Sequence, residues 1–242
     1  MNIVGKTDKG IIRQQNEDAL DFGSFDDGVS WALVCDGMGG VHGGRMASTI
    51  ATEMIADKIK KCYSKQMPVA SLENLLLSSI TTANVMVYDR GSVDEDLHGM
   101  GTTVVAAIVK NNEACIAHVG DSRAYKISKN KIEQITKDHS LVQEMLDNGQ
   151  ITKEEFEVTP IKNIITRALG IGEEVEIDFD FVCVNPDEAL ILCSDGLCGL
   201  VSDSEILDAY LNNDFESLAE KYIELANANG GRDNITVVIM KG

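Results

Sequence analysis

GTTVVAAIVKNNEACIAHVGDSRAYKISKNKIEQI, residues 101–135, holds four β-rich runs at 102–109, 113–119, 123–127 and 131–135. Two-residue polar breaks, Asn111-Asn112 and Lys129-Asn130, suit tight hairpins. The stretch therefore predicts an antiparallel meander. Upstream, strand-like runs at 19–22 and 29–35 flank Asp27-Gly28, a hairpin turn by composition. Helical periodicity follows at 44–62 (Ala47, Ile50, Met54, Ile55, Ile59) and at 72–88 (Leu72, Leu75, Leu76, Ile80, Ala83, Val87). Downstream, residues 138–170 are polar and read as an excursion from the sheet, with Thr152-x-x-Glu155 as a capping box and Pro160 as a break. Strands resume at 175–182, where Ile177, Phe179 and Phe181 should be buried and Asp178 and Asp180 solvated, and at 189–193. A capping box at Ser202-x-x-Glu205, an amphipathic helix at 215–229 and a last strand at 235–240 complete the chain. No linker or repeat interrupts this order, so residues 1–242 should form one domain. The expected class is α+β, a four-layer α/β/β/α sandwich of two antiparallel sheets flanked by helices.

Composition narrows the function. With 21 basic and 39 acidic residues the net charge is −18, which repels nucleic-acid backbones and anionic membranes. No apolar run approaches the roughly 20 residues that span a bilayer, and the start MNIVGKTDKG carries no signal-like stretch, so a cytoplasmic protein is expected. The six cysteines lie mostly in strand-like runs, as reduced buried thiols do. Cys193 and Cys198 have no partnering His or second Cys pair, which argues against zinc. A monomer is the default, since no apolar seam suggests assembly.

Four short motifs each set a carboxylate beside a chain reversal: Asp36 in VCDGMGG, Asp121 in HVGDSRAY, Asp195 in LCSDGL and Asp233 in GGRDNIT. Any one alone reads as a turn. Together, at strand ends, they point to one rim on which an antiparallel sheet gathers them. Clustered carboxylates repel and must be offset by protons or metal ions. Oxygen-only ligands favour hard divalent ions, Mn²⁺ or Mg²⁺. A pair of such ions roughly 3.5–4 Å apart lowers the pKa of a shared water and suits attack on phosphorus. Arg13, in IRQQNED, is a candidate to grip two phosphate oxygens.

In order, RQQNEDAL, VCDGMGG, GTTVVAAIV, VGDSRAY, LCSDGL and GGRDNITVVIM closely resemble the bacterial members of the type 2C, metal-dependent serine/threonine protein phosphatases, over essentially the whole chain. The resemblance implies two antiparallel sheets flanked by helices with a two-metal cleft at one end. It implies that Asp36 bridges both metals, the Gly37 carbonyl binds the first, and Asp195 and Asp233 bind the second. Asp121 with Asp195 would hold a third ion, Arg13 would bind phosphate, and Glu17 and Asp18 would reach the metals through water. Residues 138–170 are similar to the family's mobile flap. Animal members carry a histidine proposed as general acid where this chain has Met38, so His42, His139 and a metal-bound water are the candidates for that role. The expected substrates are phosphoserine and phosphothreonine on proteins, opposing a cognate Ser/Thr kinase. Two rivals are a phosphatase of small esters and an inert phosphoprotein-binding relative.

Overall fold

The computed structural model describes residues 1–159 and 164–242. Eleven strands are present among them: β1 (Asn2–Asp8), β2 (Asp18–Ser24), β3 (Ser30–Met38), β4 (Gly101–Thr102), β5 (Val104–Lys110), β6 (Glu113–Val119), β7 (Arg123–Ser128), β8 (Lys131–Gln134), β9 (Asp178–Cys183), β10 (Ala189–Cys193) and β11 (Ile235–Lys241). One antiparallel sheet has the order β2-β3-β5-β6-β9, with β4 paired to the end of β3, and the other the order β1-β11-β10-β7-β8. Seven α-helices accompany them: α1 (Gly40–Cys62), α2 (Leu72–Val93), α3 (Leu141–Asp147), α4 (Lys153–Val158), α5 (Asp195–Cys198), α6 (Asp203–Asn212) and α7 (Leu218–Ala228).

The central strands are apolar at nearly every position because both of their faces are covered, and successive side chains go to opposite sides. Ala32, Val34, Val105, Ala107 and Ile116 meet Leu190, Leu192, Val238 and Met240 between the sheets. The alternate residues Trp31, Leu33, Cys35, Ala106 and Ile108 pack outward on Ile55, Ile59, Leu76 and Ile80 of α1 and α2. Ile191, Cys193, Val237 and Ile239 do the same with Leu197, Ile206, Tyr222 and Ile223 of α5, α6 and α7. Three cores thus hold four layers, as the pattern predicts.

The stretch 101–135 departs from a simple meander. Asn111 and Asn112, at φ 53° and 64°, form the expected tight hairpin between β5 and β6, in register Lys110↔Glu113. β7 and β8 pair across Lys129-Asn130, in register Ser128↔Lys131. Between the two hairpins, however, Gly120-Asp121-Ser122 carries the chain from one sheet to the other. Gly120 sits at φ +105°, a conformation open to glycine and strained for other residues. This reversal is the crossover that delivers Asp121 to the end of the sandwich.

Other boundaries shift for physical reasons. β1 has no sharp sequence signal because it is an edge strand, half-buried along most of its length and paired only to β11. Phe181 is 52% exposed, contrary to the alternation, because β9 is an edge strand of the other sheet and its outer face is only partly covered. Cys35, Cys115 and Cys193 are buried in strands, whereas Cys62 and Cys183 are exposed, and all six cysteines are free. The capping boxes at Thr152/Glu155 and Ser202/Glu205 are both formed. The expected break at Pro160 lies outside the described residues. Among the described residues no helix is long and apolar enough to cross a membrane.

Candidate active site

A cavity of about 350 Å³ opens at one end of the sandwich, lined by Arg13, Glu17, Asp36, Gly37, Asp121, Asp195 and Asp233 together with Thr103, Ile165 and Asn234. The carboxylates come from both sheets rather than one. Asp36 lies near the end of β3 and Asp121 follows β6, whereas Asp195 follows β10 and Asp233 precedes β11. Packing the two sheets face to face brings the pairs together.

Polar side chains next to the motifs fix this rim. The Asp36 N–H donates to Thr103 Oγ1 (3.0 Å), and its carbonyl accepts from Thr102 Oγ1 (2.9 Å) and from the Thr103 N–H (2.8 Å). Thr103 Oγ1 also lies 2.7 Å from Ser122 Oγ, which ties the Asp36 strand to the Asp121 crossover. Asn234 staples the N-terminal strap: its amide donates to the carbonyls of Lys9 and Gln15 (both 2.9 Å) and its Oδ1 accepts from the Glu17 N–H (2.8 Å). Gly37 passes against the Gly44 and Glu17 carbonyls so closely that a Cβ there would overlap backbone atoms, which is why Asp-Gly rather than Asp-X stands at this strand end.

Five carboxylates and one guanidinium face the cavity. A sixth carboxylate, Asp18, lies behind them opposite Asp36 in the β2–β3 register and accepts from Ser194 Oγ at 2.7 Å. Like charges so placed destabilise the fold. Burial, then the neighbouring aspartates, lift the Asp36 carboxyl well above its usual range. Burial chiefly drives Asp18 and Asp121 up to about 7. Asp195 rises to about 6 by burial and then by repulsion from Asp233. Arg13 is held above its ordinary value despite burial by Asp233, to which its Nη2 donates at 2.8 Å.

Two carboxylate oxygens, Oδ1 of Asp18 and Oδ1 of Asp195, are buried with no protein partner. Buried acceptors without donors, in a cluster that holds protons only by suffering large shifts, are what a bound cation relieves. Among the described residues no His or Cys lines the cavity, so the donor set is oxygen alone and fits hard divalent ions.

The sequence places this architecture among known proteins. A model of the family described as protein phosphatase 2C matches residues 12–237. The chain belongs to the protein phosphatase 2C family. A Listeria welshimeri serine/threonine phosphatase, stp, is 39% identical over 100% of this chain and 96% of its own length. The crystal structure of serine/threonine phosphatase Stp1 from Staphylococcus aureus superposes with TM-score 0.92 at 34% identity, covering 99% of this chain and 95% of the other. The catalytic domain of PstP in complex with two manganese ions superposes with TM-score 0.85 at 33% identity, covering 98% and 96%.

In this phosphatase 2C chain the two candidate histidines lie outside the cavity lining. His42 is exposed on the first turn of α1 and borders a separate surface depression with Arg45 and Met46. His139 is buried. Its N–H donates to the Gly120 carbonyl (2.9 Å), its Nδ1 accepts from the Gly120 N–H (3.1 Å), and its carbonyl accepts from the Thr166 N–H (2.8 Å). His139 therefore clamps the crossover before Asp121 to the returning end of the 138–170 excursion. Burial and the neighbouring His118 lower its pKa, so it favours the neutral ring. His118, His139 and Asp178 place ligand atoms within 4.8 Å of one another. Arg167 already supplies the positive charge there, with Nη1 2.8 Å from Asp178 Oδ1 and 3.3 Å from His139 Nε2, and it opposes a cation.

Thr103, Asn234 and Ser194 are the site residues that motif reading passed over. Each is a neutral hydrogen-bonding residue inside a motif; Ser194 and Asn234 adjoin a motif aspartate, whereas Thr103 opens a strand and carried no separate signal.

Proposed function

We propose that this cavity hydrolyses phosphoserine and phosphothreonine on proteins by direct attack of water, with Asp36, the Gly37 carbonyl, Asp195 and Asp233 holding two divalent ions, Mn²⁺ or Mg²⁺. The observation that carries this reading is the convergence of five carboxylates and a single arginine on one cavity. Family membership makes the chain a protein-serine/threonine phosphatase. Asp121 with Asp195 is assigned a third ion, and Glu17 and Asp18 are assigned contact through water. Bound there, the ions supply a nucleophile at neutral pH by acidifying water and offset the negative charge of the phosphoryl group.

The chain's own residues position and screen. Arg13 spends one Nη on Asp233 and is half exposed, which leaves its remaining donors for two phosphate oxygens. The Asp36 backbone is fixed by Thr102 and Thr103, which holds this residue at the rim of the cavity without substrate. Among the described residues no imidazole borders the cavity, so the reading assigns the leaving-group proton to water and to neither His42 nor His139. A cytoplasmic monomer opposing a serine/threonine kinase completes the proposal.

Phosphate release from a phosphothreonine peptide is expected with Mn²⁺ or Mg²⁺ and is expected to cease in chelator. Undiminished turnover in chelator, or release from small esters with none from phosphopeptides, would refute the reading. Arg13→Ala is expected to raise KM about tenfold or more, the equivalent of roughly 1.4 kcal/mol or above from lost charge-assisted bonds. An unchanged KM and kcat would remove Arg13 from phosphate binding.

A further inference from the structure

Beside the cavity, on the far side of the strap formed by residues 9–17, a surface depression of about 500 Å³ is lined by Lys9, Gln14, Gln15, Asn16, Arg45 and Thr49. A second depression of about 570 Å³ shares Gln15, Arg45 and Thr49 and adds His42 and Met46. The shared residues make the two one continuous groove along the outer face of the first turns of α1. Asp18 borders its floor, but that carboxyl is buried and turned to Ser194.

Two cations, Lys9 and Arg45, line the groove. Among the described residues several exposed cations are ion-paired, including Arg13, Arg90 and the lysines at 60, 61, 131 and 137, whereas Lys65, Lys153 and Arg232, none of which lines the groove, are exposed without such a pair. Lys9 and Arg45 have neither a salt bridge nor a side-chain hydrogen bond there, and both are exposed. In a chain of net charge −18, two unpaired cations on one groove form a local positive site, and local potential governs docking.

The groove lies next to the cavity, across the strap. Arg13 and Glu17 face the cavity while Gln14, Gln15 and Asn16 face the groove, and on α1 Gly40 lines the one and Arg45 the other. Five helical residues rise about 7.5 Å, which an extended peptide covers in roughly two to three residues at ~3.3 Å each. Met46, 39% exposed, gives the outer end an adaptable apolar wall.

We propose that this groove binds the polypeptide flanking the phosphorylated residue and selects substrates with carboxylate side chains about two to four residues from it, read by Arg45 and Lys9. The inference rests on the protein-phosphatase reading above and adds a substrate preference to it. Amides from Gln14 and Gln15 suit the extended backbone of such a segment.

The test measures kcat/KM on two phosphothreonine peptides, one with Asp or Glu two to four residues away on both sides and one with Gln there, and on p-nitrophenyl phosphate. Wild type is expected to prefer the acidic peptide about five- to tenfold at low salt and less at high salt. Lys9→Glu/Arg45→Glu is expected to abolish or invert that preference through KM, and Lys9→Gln/Arg45→Gln to flatten it. Activity on the small ester should stay at the wild-type level in both variants, which also shows that they fold. An acidic-to-Gln ratio equal in wild type and both variants overturns the proposal while leaving the phosphatase reading intact. Wild type acting on the ester but on neither peptide would instead overturn the reading on which the proposal rests.

Discussion

Asp36→Asn is expected to lower phosphate release on the order of 10³-fold while making the metal-free protein more stable. The activity loss follows from taking away a shared metal-binding carboxylate, since bound cations supply several kcal/mol of charge stabilisation to such reactions and each 1.36 kcal/mol is tenfold in rate. The stability gain follows from the charges that surround this residue. Asp36 is raised by burial and then by Asp18, Asp195, Asp121 and Asp233, and it stands opposite Asp18 in the β2–β3 register. A neutral amide removes one member of that repulsive set while retaining size and the backbone bonds to Thr102 and Thr103. Relief of about 1–2 kcal/mol would raise Tm by roughly 2–8 °C in a chain of this size. In excess Mn²⁺ the order should reverse, with wild type gaining more than the variant because only the native site binds the ion tightly. Thermal melts with and without metal, beside phosphopeptide turnover, check both halves. A variant that melts below wild type in chelator would show that Asp36 is held by partners rather than strained by neighbours.

The parts of this site that could be read in the sequence were those where chemistry and local geometry coincide. Asp36, Asp195 and Asp233 each sit at the edge of a fully apolar run, so strand end and carboxylate are legible together, and the central strands β6 and β10 match their runs residue for residue. Asp121 was legible as a carboxylate but not as a crossover. Gly-Asp-Ser serves a hairpin turn or a passage between sheets equally well, and only the packing of Ile116 against Leu190 and Val238 decides between them. β1 was not legible, because an edge strand needs only one paired side. The two histidines illustrate a different limit. His42 follows the Asp36 motif closely in the chain, yet helix α1 carries it to the outside. His139, far from Asp121 in sequence, grips the residue before it. Proximity along the chain says little about which side of an element faces the cavity.

Metal-free protein is expected to lose stability as pH rises from about 4 to 7, opposite to the behaviour of a protein whose acids are salt-bridged. Unfolded aspartates titrate near 3.9, whereas Asp195 is raised to about 6 and Asp18 and Asp121 to about 7 in the fold. Between those values the folded state binds more protons than the unfolded one, so the unfolding free energy falls with increasing pH. The stabilisation is complete below the ordinary carboxyl range and is gone once pH passes about 7. Groups with the contrary sign act elsewhere or singly. Asp178 and Glu188 are lowered and lose their contribution only in acid, while His139, also lowered, works against the trend below its ordinary 6.5 as one group against several. A net loss of only ~2 kcal/mol would move Tm by roughly 4–8 °C. Saturating Mn²⁺ should turn the slope around, because the ion binds the deprotonated carboxylates and competes with their protons. Self-repulsion of a chain at −18 also grows with pH, and Asp121→Asn separates the two causes: the substitution barely changes the global charge but removes one titrating member of the cavity. A shallower slope in that variant places the effect in the cavity, and a slope parallel to wild type would assign it to the whole surface.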